Sequence, residues 1–398
     1  MGAFLKIAAL AAAAIGQAVA AAPFTLQAAL ATADAHNRTL AAARLGRAVD
    51  EAGVGVAGER PNPEFSFEAA RDTPHEVFSL NLPLEAGGKR SRRLDLANAT
   101  LARTSADIAV LTLDLRRQVR VAYFELVAAS ERLRVIADLR SFAERTREAA
   151  RDRFQSGAAP QLELLQAELV VAQAANEEQA ANGQVQAGRA LLGTLLGTPL
   201  DDATEPVDGF DASTVPTAID TAIAARPDIV ALDRAIDEAV AREGLARALR
   251  TPDPTVSGGL LTDAQPDFQV GWRAGLAVTL PVFTRHDAAV RVETARVLQL
   301  RAEREARIAA LTGDATAAAA RARAARQSYL RYRDEIIPQL ATIASLAELS
   351  YRSGQTGLTA YLQALQSARE VRLRAGETGL EYQTALADLE RALGGPLP

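Results

Sequence analysis

The sequence predicts an α+β membrane protein in which four β-strands per chain are continued by very long helices, the whole built from two sequence repeats. Three observations carry this. Between Ser91 and Ser156 there is no Gly or Pro, so one helix there spans about 100 Å at ~1.5 Å per residue, against a mean of ~11 residues in globular domains. The helix follows directly on an alternating run, Val77–Leu84, which reads as a strand. And the chain repeats itself. Pro61-Asn62-Pro63 is answered by Pro252-Asp253-Pro254, Leu82-Pro83-Leu84 by Leu280-Pro281-Val282, Phe154-Gln155-Ser156-Gly157 by Tyr351-Arg352-Ser353-Gly354, and Leu196–Leu200 by Leu393–Leu397. The order is kept and the offset is near-constant, 354 − 157 = 197 for the glycines. A period of that size is a duplicated half, not a solenoid repeat.

Taken in order, residues 1–20 carry one charge (Lys6), an apolar run Ile7–Ile15 and the small-x-small ending Ala18-Val19-Ala20, the plan of a cleavable export signal. Residues 21–210 form the first repeat. Thr25–Glu59 reads as one helix, ended by Pro61-Asn62-Pro63. A β-hairpin over 64–84 follows, turning at Arg71–Glu76, then a long helix over 91–156 and a return helix over 161–196. The long helix carries apolar residues at three- and four-residue steps, among them Leu111, Leu115, Val119, Leu133 and Ile136, a seam for helix packing. Asp201–Thr217 reads as an acidic linker. Residues 211–398 form the second repeat: a helix, a hairpin over 255–282, a long helix over 285–352 and a return helix over 358–393. Pro338 falls inside that long helix and should kink it, as a pivot or as a passive bend.

The second hairpin predicts the environment. Phe268, Val270, Trp272, Ala274, Leu276, Val278, Leu280 and Val282 alternate with Gln269, Gly271, Arg273, Gly275, Ala277 and Thr279. A membrane strand needs about 9–11 residues, apolar toward lipid and polar or small toward the lumen. Elsewhere charge, Gly or Pro interrupts each apolar run, so no transmembrane helix is expected. Four strands cannot close a barrel, which takes about eight, and lipid tolerates no open edge. The chain is therefore expected to share one barrel with copies of itself.

Composition narrows the chemistry. The net charge is −5, without Cys and with 3 His and 1 Met. Disulfides, thiolate sites and cysteine catalysis are excluded, and there is no basic excess to suggest nucleic acid. His36, His75 and His286 are scattered, so no imidazole or soft cluster for a metal is expected, nor any cofactor or catalytic residue. Gly87-Gly88-Lys89-Arg90 is not a phosphate loop, because that pattern needs Gly at 83 and Ser or Thr at 90. Lys89, Arg90, Arg92 and Arg93 instead form a basic hinge expected at the membrane interface, near anionic head groups.

This arrangement resembles the TolC family of outer-membrane efflux channels over essentially the whole mature chain. Pro61-Asn62-Pro63, the junction Leu84–Arg90 and the paired Ser-Gly tips are most similar to its CzcC-like, cation-efflux branch. At the second junction Phe283-Thr284-Arg285-His286 departs from that motif. The resemblance implies a homotrimer with a twelve-stranded barrel in the outer membrane of a Gram-negative bacterium, continued by an α-helical tunnel through the periplasm. It implies a tripartite pump exporting heavy-metal cations, with a periplasmic adaptor docking at the tips, Ser156, Gly157, Ser353 and Gly354, and an inner-membrane pump of the RND type. It also implies acidic residues six to nine positions past each tip glycine that narrow the entrance. Here these positions hold Glu163 in the first repeat, with Ala360 and Gln363 in the second; three Glu163 carboxylates would favour cations. Drug efflux or type I protein secretion could use the same duct. A periplasmic coiled-coil adaptor or a secreted enzyme are the readings from other classes.

Overall fold

The computed structural model describes residues 24–72, 74–202, 204–210, 215, 225–263, 269–353 and 355–397. The export signal, Phe268, Gly354 and part of the stretch 201–217 (203, 211–214, 216 and 217) lie outside the described residues. The first repeat begins with α1 (Leu26–His36) and α2 (Arg38–Ala57), followed by strands β1 (Glu64–Ala69) and β2 (Glu76–Pro83). Helix α3 (Lys89–Gln155) is unbroken for 67 residues, and α4 (Gln161–Leu196) returns beside it. The second repeat supplies α5 (Pro227–Ala248), strands β3 (Pro254–Asp263) and β4 (Gln269–Val278), then α6 (Asp287–Arg331). A π-helical turn, Tyr332–Ile336, leads into α7 (Ile337–Arg352), and α8 (Leu358–Leu393) closes the chain.

Three expectations are corrected. The first helix is two, because Asn37 leaves helical geometry at φ −60°, ψ 124°. Its side-chain oxygen caps α2 by accepting from the Leu40 N–H at 2.9 Å, and its amide donates to the Leu195 carbonyl at 2.8 Å. This ties the break to the end of α4. The space is tight: a Cβ on Gly197 (φ +76°) would sit 2.0 Å from the His36 carbonyl oxygen. The second long helix is also interrupted, by the π turn just ahead of Pro338. Finally, β4 stops at Val278 rather than running to Val282. Pro281 has no N–H to give a ladder, and Val282 N–H folds back to the Leu280 carbonyl at 2.9 Å.

All four strands form one antiparallel sheet in the order β1-β2-β3-β4. β2 pairs with β3, Glu76 opposite Thr262 through Pro83 opposite Thr255, so the two repeats meet in the sheet. The outer edges of β1 and β4 carry no further strand among the described residues. Each long helix leaves the sheet through a left-handed residue: Gly88 (φ 70°) before α3 and His286 (φ 56°) before α6. His286 is the one non-glycine with positive φ among the described residues.

The cores lie far from the sheet, along the helices. Tyr123, Phe124, Leu126, Leu192 and Leu196 of α3 and α4 enclose Ala29 and Ala33 of α1, with Phe210 beside them. Tyr382 and Leu386 of α8 pack on Ala315, Ala319 and Ala322 of α6. Small residues on one side let large ones interlock at close helix spacing. Phe210 joins the two cores, with its ring 6.2 Å from Tyr329, which stacks on Tyr382 at 6.0 Å. The acidic linker is thus partly core.

Candidate functional site: the sheet face, the junction and the hairpin tips

The sheet is inverted relative to a soluble protein. Phe67, Phe78, Leu260 and Trp272 stand opposite one another across β1 to β4, as do Leu82, Val256 and Leu276 on the same face. Of these, Trp272 is 79% exposed, Leu276 70%, and Phe67 and Leu260 53% each. The other face holds Ser66, Ser79, Gly259 and Arg273 in one row. There Ser79 and Val77 are buried, and Arg273 reaches over Gly259 to donate to the Ser79 hydroxyl at 2.6 Å. Leaving one large apolar side chain in water forfeits about 1.5–3 kcal/mol. A face of seven partly exposed ones forfeits on the order of 5–10 kcal/mol, comparable to the ~5–15 kcal/mol stability of a domain. Apolar out and polar in is the pattern of a wall between lipid and a lumen.

At the sheet-to-helix junction the four basic residues divide. Lys89 is buried and donates to Asp253 at 2.7 Å, whose other oxygen accepts from the Ala86 N–H at 2.9 Å. Burial alone would raise the Asp253 carboxyl, but Lys89 and the Ala86 amide outweigh it and lower its pKa. Arg93 grips Glu85 and also donates to the carbonyls of Ala57 and Glu59. Lys89 and Arg93 are thus engaged within the chain. Arg90 and Arg92 remain exposed, although Arg90 donates to the Gly58 carbonyl at 2.6 Å. The pairing was hidden in the sequence because Asp253 lies 164 residues away.

At the opposite end the structure brings Glu163 into a contact the sequence does not disclose. Its Oε1 accepts from the Tyr351 hydroxyl at 3.1 Å and lies 3.5 Å from the Arg153 guanidinium. Tyr351 stacks on Tyr361 (4.8 Å, 7°), and Arg153 lies over the Tyr351 ring at 5.6 Å. Burial, then the Glu163 charge, raises the Tyr351 pKa. The Glu163 side chain is only 14% exposed. Glu163 thus joins the first tip to the second: α4 to α7, with α3 supplying the cation. Gln363 and Ala360 are exposed and take no part. Ser156 and Ser353 end α3 and α7, each with its hydroxyl on a carbonyl of the preceding turn, and Gly157 takes φ 75°. Tyr351 and Arg153 were missed because their spacing signals only core and solvated face. Among the described residues there is no group of three His, Asp or Glu able to hold a metal, and no helix long and apolar enough to cross a membrane.

Comparison with known proteins agrees with this geometry. The family model described as outer membrane efflux protein matches residues 29–198 and 218–395, the two repeats. The chain is 27% identical over 382 residues to the cobalt-zinc-cadmium resistance protein CzcC of Cupriavidus metallidurans, covering 94% of this chain and 91% of that one. It is 27% identical over 399 residues to the pyoverdine export outer membrane protein OpmQ of Pseudomonas putida, covering 91% and 83%. Its fold is similar to the Campylobacter jejuni CmeC outer membrane channel, with a TM-score of 0.79 at 19% identity over 93% and 85% of the two chains. This chain therefore belongs to the outer membrane efflux protein family, whose members are transport channels rather than enzymes.

Proposed function

We propose that this chain forms the outer-membrane exit duct of a tripartite, RND-type efflux pump and that its cargo is heavy-metal cations. The observation that carries the reading is the exposed apolar face of the sheet from Phe67 to Trp272, backed by a face of small and polar residues. Two unpaired edges cannot persist in lipid, so three copies contributing four strands each would close a twelve-stranded barrel in the outer membrane of a Gram-negative bacterium. The helices, longer than any bilayer is thick, would continue the duct through the periplasm. A periplasmic adaptor would dock at Ser156, Gly157, Ser353 and Gly354 and couple the duct to the inner-membrane pump. Arg90 and Arg92 would face lipid head groups.

The resemblance to a cobalt-zinc-cadmium resistance protein over nearly the full length supports a cation cargo. The equally identical pyoverdine exporter supports a second reading, export of an organic molecule. Glu163 supports the first, because three such carboxylates, released from Tyr351, would ring the entrance with negative charge. Gln363, nine residues past Gly354 where Glu163 is six past Gly157, would stand about one turn further in as a neutral member. Planar-bilayer recording tests this: Glu163→Gln is expected to lower cation over anion selectivity, and unchanged selectivity would remove Glu163 from the pore. A deletion strain tests the cargo. Altered drug tolerance with intact zinc, cobalt, copper and silver tolerance would favour the organic reading.

A further inference from the structure

The two return helices end alike, but their ends differ in how charge is matched. α4 stops at Gly197 (φ 76°) and α8 at Gly394 (φ 84°), 394 − 197 = 197 residues apart. Each glycine packs on the start of another helix. A Cβ on Gly197 would meet the His36 carbonyl ahead of α2, and one on Gly394 would meet Arg226 ahead of α5. The residue just before each of those helices reaches back to the end of the return helix. Asn37 donates to the Leu195 carbonyl at 2.8 Å, and Arg226 to the Arg391 carbonyl at 3.2 Å. In the second repeat the guanidiniums gathered at this point find a carboxylate. Asp228, the second residue of α5, takes Arg226, Arg307 and Arg391. The second residue of α2 is Thr39, so the first repeat lacks that carboxylate.

Two arginines are nevertheless brought to the same place. Arg38, the first residue of α2, and Arg189 of α4 line one cleft of about 460 Å³, whose walls include Ala190, Pro199 and Leu200. The Arg189 side chain is only 13% exposed, and its Nε has no hydrogen-bond partner. Its one carboxylate neighbour among the described residues, the exposed Asp202, lies 3.9 Å away, beyond hydrogen-bond reach. With its amide oriented to suit both neighbours, Gln186 accepts from Arg189 at 3.3 Å and donates to Asp202 at 3.1 Å. That gives Arg189 a neutral acceptor for one of its five N–H groups. A guanidinium withdrawn from water is costly unless an anion and hydrogen bonds match it. The start of α2 adds a partial positive charge of its own. The cleft thus holds two guanidiniums against one loosely placed carboxylate, with small and apolar walls beside them. The guanidinium fork matches a planar carboxylate through two parallel bonds.

We propose that this cleft is a carboxylate-binding site, in which Arg38 and Arg189 hold the carboxylate end of a small external ligand where the second repeat uses its own Asp228. The site lies away from the sheet and the tips and is independent of what the duct conducts. Calorimetric titration of the full-length protein in detergent tests it, with N-acetyl-alanyl-alanine as the probe and ionic strength held constant with chloride. The free acid should bind saturably, and the C-terminal amide of the same peptide should not bind. Arg189→Gln and Arg38→Gln should each weaken binding by about tenfold or more, the scale of one charge-assisted hydrogen bond. Arg38 is exposed, so its variant carries the test if Arg189→Gln does not fold. Thr39→Asp supplies the missing carboxylate from within. It should raise the thermal midpoint measured without ligand and weaken the titration. Inorganic phosphate is the second probe, and binding of phosphate without the peptide would overturn the carboxylate assignment. No saturable binding, equal binding of acid and amide, or parental affinity in any of the three variants would overturn it as well.

Discussion

Asp228 shows how much a single side chain coordinates in this molecule. It sits in the first turn of α5, where a carboxylate is favoured by the helix dipole, and it is buried at 8% exposure. Three guanidiniums converge on it: Arg226 at 3.1 Å, Arg307 of α6 at 3.2 Å, and Arg391 of α8 at 2.9 Å. Arg391 also holds Asp114 of α3. Burial alone would push the Asp228 carboxyl up, but the bonds from Arg391, Arg226 and Arg307 outweigh it and hold it well below the usual carboxylate range. Removing one partner of a buried ionic cluster costs about 3–5 kcal/mol, so Asp228→Asn should lower the thermal midpoint in detergent substantially at neutral pH. The sign of the pH dependence follows from the depressed pKa. The stabilisation is fully present above the unfolded-state value of about 4 and is lost as pH falls below it. The gap in midpoint between parent and variant should therefore narrow from pH 7 to pH 3. A gap that stays constant would mean that Asp228 contributes shape and not charge.

At the scale of elements, the junctions between sheet and helix are where rigidity is built. Lys89 is the first residue of α3, and through Asp253 it fastens the start of that helix to the start of β3 in the other repeat. Hydrogen bonds to a charged group contribute about 1.5–3 kcal/mol, and the 38% exposure of Asp253 sets the lower end. Lys89→Met is expected to cost roughly that lower figure and to weaken heat resistance of the oligomer on gels. Arg92→Met, with its exposed pair to Asp95, should change it by less than about 1 kcal/mol. Equal effects from the two would mean that Lys89 acts only as surface charge. These junctions also mark how far the sequence could be read. The strands, the rod and the duplication were legible because period two, period 3.6 and repeated Pro and Gly motifs are local signals. The break at Asn37 was not, since apolar spacing runs on through it and the capping partner, Leu195, is distant in sequence. Likewise Glu163 was legible only as an acidic residue at a set distance from Gly157. Its partner Tyr351 lies 188 residues on.

For the whole molecule, the decisive question is what covers the apolar face of the sheet, and the chain carries its own reporter. Trp272 is the sole tryptophan. It lies near the middle of β4, in the row with Leu260, Phe78 and Phe67, and is 79% exposed. If copies of the chain close a barrel, this ring faces acyl chains; if the face were instead buried by a protein partner, it would be shielded from lipid. Reconstituted in vesicles, the protein should emit at short wavelength and be quenched strongly by lipids brominated along their acyl chains, with little quenching by iodide in the buffer. Trp272→Arg places a cation on the lipid face, which costs about 2–4 kcal/mol near the bilayer midplane, and should reduce the heat-modifiable oligomer in the membrane fraction. Arg273→Gln changes the opposite face and should leave assembly intact while altering conductance. The two neighbours point to different solvents, so the pair decides the matter. If Trp272→Arg assembled as well as Arg273→Gln, and iodide rather than brominated lipid quenched the tryptophan, the sheet would not be a membrane wall. The exit-duct reading would fall with it.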